Sequence, residues 1–140
     1  MKIFLSNLFL VFLIIGCTTN KKTVNNNKET TISLGETISI DNFQVKFVKV
    51  LEDSRCPKEV TCIWAGRAKV LVEIFEKGKE SLQKELIFGQ LKQGETKDLT
   101  LFTTKEKKAV GITLKPYPSS ENTVSEKEFQ LLISVEKNEK

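Results

Sequence analysis

From residue 31 onward the apolar positions recur with a period of two, the spacing of a strand with one buried face, and not with the 3.6 of a helix. Ile38 and Ile40 alternate with polar neighbours after Gly35, and Asp41-Asn42 marks a turn. Phe43, Val45 and Phe47 then share one face, with Gln44 and Lys46 on the other. Val48 and Val50 break that phase, which predicts either a strand apolar on both faces or a bulge near Lys49. Ala68, Val70, Val72 and Ile74 form the cleanest alternation and run into a hairpin-like turn, Glu76-Lys77-Gly78-Lys79. Residues 82–88 are a less regular apolar run, and Gly89 and Gly94 bracket a loop. Leu99 and Leu101 open another strand. Val110, Ile112 and Leu114 make one more, stopped by Pro116-Tyr117-Pro118. After a polar loop, Phe129, Leu131, Ile133 and Val135 supply the last strand.

This pattern predicts an all-β domain of about seven to eight short strands, either an antiparallel β-sandwich of immunoglobulin-like appearance or a partly open barrel. No segment carries a helical stripe, and all three prolines fall between strands, where a missing N–H breaks no ladder.

The N-terminus follows a different rule. Lys2 precedes an almost wholly apolar run over residues 3–15, and Ile14-Ile15-Gly16 leads into Cys17. As a helix the run spans about 20 Å against a hydrocarbon core of about 30 Å, so an uncleaved anchor fits poorly. An ordinary secretory signal fits poorly too, because the small-x-small cleavage pattern is missing. The segment resembles the lipobox of bacterial lipoproteins. That resemblance implies that residues 1–16 are a signal peptide and that Cys17 is lipidated. Residues 17–30 carry Lys21, Lys22 and an asparagine run with one apolar residue, Val24, and read as a flexible tether. The folded domain is then residues 31–140. The early positive charges favour a periplasm-facing position in the cell envelope, with the membrane as partner through the lipid.

Composition narrows the chemistry. The net charge of +4 is small and dispersed, and with one Trp and one Tyr there is no footprint for nucleic acid. The chain has no histidine, which removes Ser-His-Asp, Cys-His and His-metal arrangements. Of its three cysteines, Cys17 takes lipid, leaving Cys56 and Cys62 to pair as a disulfide in an oxidising compartment. No cofactor or metal is expected. Glu52, Asp53 and Glu59 are interleaved with Arg55 and Lys58, an arrangement that opposes a bound cation.

The densest stretch is residues 52–66, EDSRCPKEVTCIWAG, which holds both disulfide cysteines, the only tryptophan and an Asp-x-Arg pair. The order DSRCP, then C-I-W-A-G, with a later Pro116-Tyr117-Pro118 turn before the last strand, resembles a recurrent group of bacterial secreted and lipid-anchored β-domains. The resemblance covers roughly residues 35–136. It marks a family and implies no activity, and no catalytic or binding residue is carried over from it.

The residues themselves suggest roles. Arg55 reads first as a turn clamp onto Asp53 or Glu52, or onto free carbonyls, and second as a cation offered to an anionic ligand. Trp64 reads first as an apolar plate packed on the disulfide or a strand, and second as an exposed stacking surface. Gly66 is expected where φ is positive or another backbone comes close. The function expected is that of a non-catalytic, membrane-anchored binding or interaction module, with Arg55, Lys58, Glu59 and Trp64 as contact candidates for an envelope protein or glycan. The alternatives are a structural envelope protein without a discrete ligand and, more remotely, a small enzyme or a protease-inhibitor-like loop.

Overall fold

The computed structural model describes residues 28–121 and 124–138; the expected signal segment, Cys17 and most of the expected tether lie outside them. Eight strands run in chain order: β1 (Lys28–Ser33), β2 (Thr37–Ile40), β3 (Phe43–Asp53), β4 (Arg67–Glu76), β5 (Leu82–Gly89), β6 (Thr100–Thr103), β7 (Lys107–Lys115) and β8 (Gln130–Lys137). They form two four-stranded antiparallel sheets, ordered β1-β8-β7-β6 and β2-β3-β4-β5. The fold is thus an eight-stranded β-sandwich. Each sheet is built mostly of sequential hairpins, and the chain changes sheet between β1 and β2 and again between β5 and β6. Lys28, Glu29 and Thr30, which the sequence assigns to the tether, belong to β1 and pair with β8.

The alternation read from the sequence builds the core. Val45 and Phe47 of β3, Ala68, Val70 and Val72 of β4, and Leu131 and Ile133 of β8 are wholly buried between the sheets. Phe43 of β3 and Phe102 of β6 stack with ring centroids 4.1 Å apart, joining the two sheets near one end. The phase break in β3 is a bulge: the register with β4 shifts between Phe47 and Lys49, leaving Val48 without a partner.

In β7 the structure departs from the pattern. Val110, Ile112 and Leu114 are predicted on one inward face, yet Ala109, Gly111 and Leu114 are the buried residues and Ile112 is 42% exposed. A bulge between Gly111 and Thr113 shifts the register against β8 and swaps the faces. The cause lies across the sandwich. A Cβ on Gly111 would sit 2.9 Å from Leu86 Cδ1 and 3.2 Å from Phe88 Cζ. Only small residues fit where β5 crosses β7, so the strand turns Ala109 and Gly111 inward and then slips by one to bring Leu114 in.

Register also sets the two poles of the molecule. Ser33, Gln130 and Lys115 lie together at one end, where β3 finishes and β4 starts. Lys28, Val135 and Lys107 lie at the other, beside the Asp41 turn.

A candidate interaction site at the disulfide loop

Residues 54–66 join β3 to β4 as a loop with a narrow neck. Ser54 N–H donates to Arg67 O at 2.8 Å, and Cys56 N–H donates to Ala65 O at 3.1 Å. Gly66 closes the neck with φ of +68°, and a Cβ there would lie 1.7 Å from the Ser54 carbonyl oxygen. It therefore meets both conditions expected of it. Above the neck the Cys56–Cys62 disulfide is formed, with the two Cα atoms 5.9 Å apart.

One flank of the loop is fastened to residues 116–120. Lys58 N–H donates to Pro118 O at 3.3 Å. The Glu59 carboxylate accepts from the Ser119 hydroxyl at 3.0 Å and from the Ser120 N–H at 2.9 Å. Those bonds, led by the Ser120 N–H, hold the Glu59 pKa below the ordinary carboxylate range.

Arg55 is the deepest fastener. Its Nε and Nη2 fork onto the two Asp53 oxygens, both at 2.7 Å. Nη1 donates to Leu114 O at 2.6 Å and Nη2 to Pro116 O at 3.0 Å. The guanidinium lies 5.0 Å from the centre of the Tyr117 ring, within cation–π range. At 8% exposure, with its donors on Asp53 and two carbonyls, Arg55 ties the end of β3 in one sheet to the end of β7 in the other. The clamp reading describes it, and it offers no accessible face for an external anion.

A second buried arginine was not singled out from sequence. Arg67 forks onto Glu52 through Nε and Nη2 at 2.9 and 2.7 Å and donates through Nη1 to Glu95. Lys92 joins on Glu52 at 3.3 Å. Chiefly through the Arg67 hydrogen bonds, the Glu52 pKa falls from 4.5 to about 2, and that of Arg67 rises. Glu95 is also lowered, first by the Lys92 N–H and then by Arg67. Glu52, Asp53 and Glu59 thus serve separate sets of partners and do not converge. Among the described residues no group of three or more His, Cys, Asp or Glu side chains gathers to hold a metal ion.

The outer part of the loop is different. Trp64 is 74% exposed, Ile63 94% and Val60 47%. The expectation that Trp64 packs against the disulfide or a strand is corrected: Ile63 and Trp64 lie between Cys62 and the neck at Ala65, and nothing among the described residues covers their side chains. Of the four contact candidates, Lys58, Glu59 and Trp64 stand exposed, Glu59 with its carboxylate bonded to Ser119 and Ser120, while Arg55 is buried on Asp53. Ile63, adjacent to Trp64, completes the apolar tip and was missed, although two neighbouring apolar residues in a polar loop were there to be read. In the sequence Tyr117 stands out only as part of a turn. Its ring is within reach of both Arg55 and Lys58, whose Nζ is 5.8 Å from the ring centre. Beside it an open groove of about 830 Å³ is lined by Lys58, Thr113, Lys115, Tyr117, Glu128 and Gln130, among others.

Comparison with protein-family models, curated proteins and solved structures finds no match to this chain.

Proposed function

We propose that this protein is a lipid-anchored, non-catalytic interaction module of a bacterial cell envelope and that the disulfide loop is its contact surface. The observation that carries the reading is the exposure of Ile63 and Trp64 at the tip of a loop pinned from below. A buried aromatic adds core stability; an exposed one beside an exposed isoleucine carries a standing solvation cost, which contact with a partner relieves. The disulfide, the neck and the Glu59 bonds fix the loop before contact, so little conformational freedom remains to be lost on binding. The motif divides accordingly: Asp53 and Arg55 build the support, and Ile63 and Trp64 meet the partner.

The test is capture from an envelope extract by the wild-type chain and by an Ile63→Ser/Trp64→Ser variant of equal melting temperature. A species held by the first and lost by the second is the expected result. Identical captures, or none, refute the loop as the contact surface. The anchor is checked separately: Cys17→Ala is expected to move the protein from the membrane to the soluble fraction, and continued retention would mean an uncleaved N-terminal anchor.

A further inference from the structure

The Cys56–Cys62 disulfide closes a ring outside the core, and its two ends are unlike. Cys62 is exposed, and Ile63 and Trp64 beyond it are exposed too. Cys56 is half-buried at the neck, with its N–H on Ala65 O. Its Sγ lies 3.4 Å from Val60 O and 3.6 Å from Pro57 O. A thiolate opens a disulfide by attacking one of the two sulfurs, and access selects which one. The two carbonyls turn the negative ends of their dipoles toward Cys56 and oppose an incoming anion there, while Cys62 is open to it. Exposed disulfides of this kind belong to the labile and regulatory class.

The base of the loop does not depend on this bond. The neck at Ala65, the Lys58 N–H on Pro118 O and the Glu59 bonds to Ser119 and Ser120 all hold without passing through it. Residues 61–64 make no backbone hydrogen bond among the described residues, so the disulfide is what restrains them. Opening the ring therefore frees the tip and spares the base. With Cys17 under lipid, as expected, the chain has no third thiol to shuffle with, so the ring only opens and closes.

We propose that Cys62 Sγ is a thiol-exchange site at which a dithiol reductant opens the ring, and that opening switches off the contact surface at Ile63 and Trp64. A thiolate of the dithiol bonds to Cys62 Sγ as the bond to Cys56 breaks. The electron pair leaves on Cys56, which takes a proton from water and has Val60 O within reach as an acceptor. The second thiol of the reductant, as thiolate, then attacks its partner sulfur in the mixed disulfide, which releases Cys62 to be protonated in turn. The ring gains two electrons and two protons, and the dithiol becomes a disulfide. Once free, the tip must be ordered again on contact, a cost that the closed ring removes. The gating rests on the loop being the contact surface; the exchange chemistry does not.

The full chain, folded and without denaturant, is treated with reduced glutathione, quenched with iodoacetamide and digested with trypsin, which cuts after Lys58, between the two cysteines. A monothiol stops at the mixed disulfide. The expected product carries glutathione on Cys62 and the alkyl group on Cys56. The reverse assignment, or no product until denaturant is added, overturns the exchange site. On full reduction, backbone N–H order parameters should fall at residues 61–64 and hold at Ser54, Cys56, Lys58 and Ser120. No fall at the tip, or an equal fall at Lys58 and Ser120, overturns the local opening. Envelope capture then compares the closed chain with a Cys56→Ser/Cys62→Ser variant and with reduced, alkylated wild type, two independent open forms. A species held by the closed chain and lost by the open forms is expected. Equal capture overturns the gate and leaves the loop as a contact surface where Ile63→Ser/Trp64→Ser still abolishes it. Capture by none is the failure of the function proposed for the loop and removes the surface to be gated, while the glutathione result stands by itself.

Discussion

At the scale of single residues, the motif separates into groups that hold and groups that are presented. Arg55 holds. Its removal strands the Asp53 carboxylate and frees two carbonyls, so Arg55→Ala is expected to cost about 3 kcal/mol, as breaking a buried ion pair does. Arg55→Lys, which cannot fork onto Asp53 and still reach both carbonyls, should recover only part of it; denaturant melts measure both. Gly66 admits no side chain, because a Cβ would overlap the Ser54 carbonyl. Gly66→Ala should therefore lower the melting temperature sharply. Ile63→Ser and Trp64→Ser should stay within about 0.5 kcal/mol of wild type, since both side chains face solvent. The Asp53–Arg55 fork was legible because the two residues are neighbours. The carbonyls of Leu114 and Pro116 were not, lying 59 and 61 residues further along the chain. Trp64 departs from expectation for a related reason: large apolar residues are usually covered, and the sequence does not reveal that no strand or loop covers this one.

At the scale of elements, strand positions were legible because the period of two persists wherever one face is buried. It fails at β7, where the partner sheet and not the strand itself decides which side chains turn in. Ile112→Lys tests this. If the alternation held, it would place a charge in the core; with the bulge in place, stability should hardly change. Gly111→Ala should destabilise by about 1–3 kcal/mol through crowding against Leu86 and Phe88. Thermal melts of the two variants give opposite orders under the two registers. In the loop, reduction of Cys56–Cys62 should lower the melting temperature by several degrees, as the loop-closure entropy of so short a ring predicts at about 2 kcal/mol. A reduced protein that melts unchanged would mean the neck and the Glu59 bonds hold the loop without it.

At the scale of the whole molecule, the all-β class was readable and the sheet order was not, since pairing across the β5–β6 connection depends on contacts between distant strands. The same distance hid Arg67, whose acceptor Glu95 lies 28 residues away. That cluster gives the fold an acid limit. Glu52 and Glu95 bind protons less readily in the folded chain than in the unfolded one. Their stabilisation is complete above the ordinary carboxylate value of 4.5 and is withdrawn as pH falls below it, that of Glu52 toward about 2. Melting temperature should hold steady near neutrality and decline through that window. The decline should be shallower in Glu52→Gln, and equal slopes would count against the cluster.

The outward placement of the only tryptophan also changes what light reports from this protein. In most small domains indole emission follows the core, shifting to the red as the chain unfolds. Here the indole is already in water when the core is intact, so unfolding should move its emission little and leave the phenylalanines of the strands and the backbone signal to record the melt. Docking should do the reverse, shifting the emission to the blue and shielding it from a soluble quencher while the fold stays unchanged. The unlabelled chain therefore separates recognition from stability in a single optical titration.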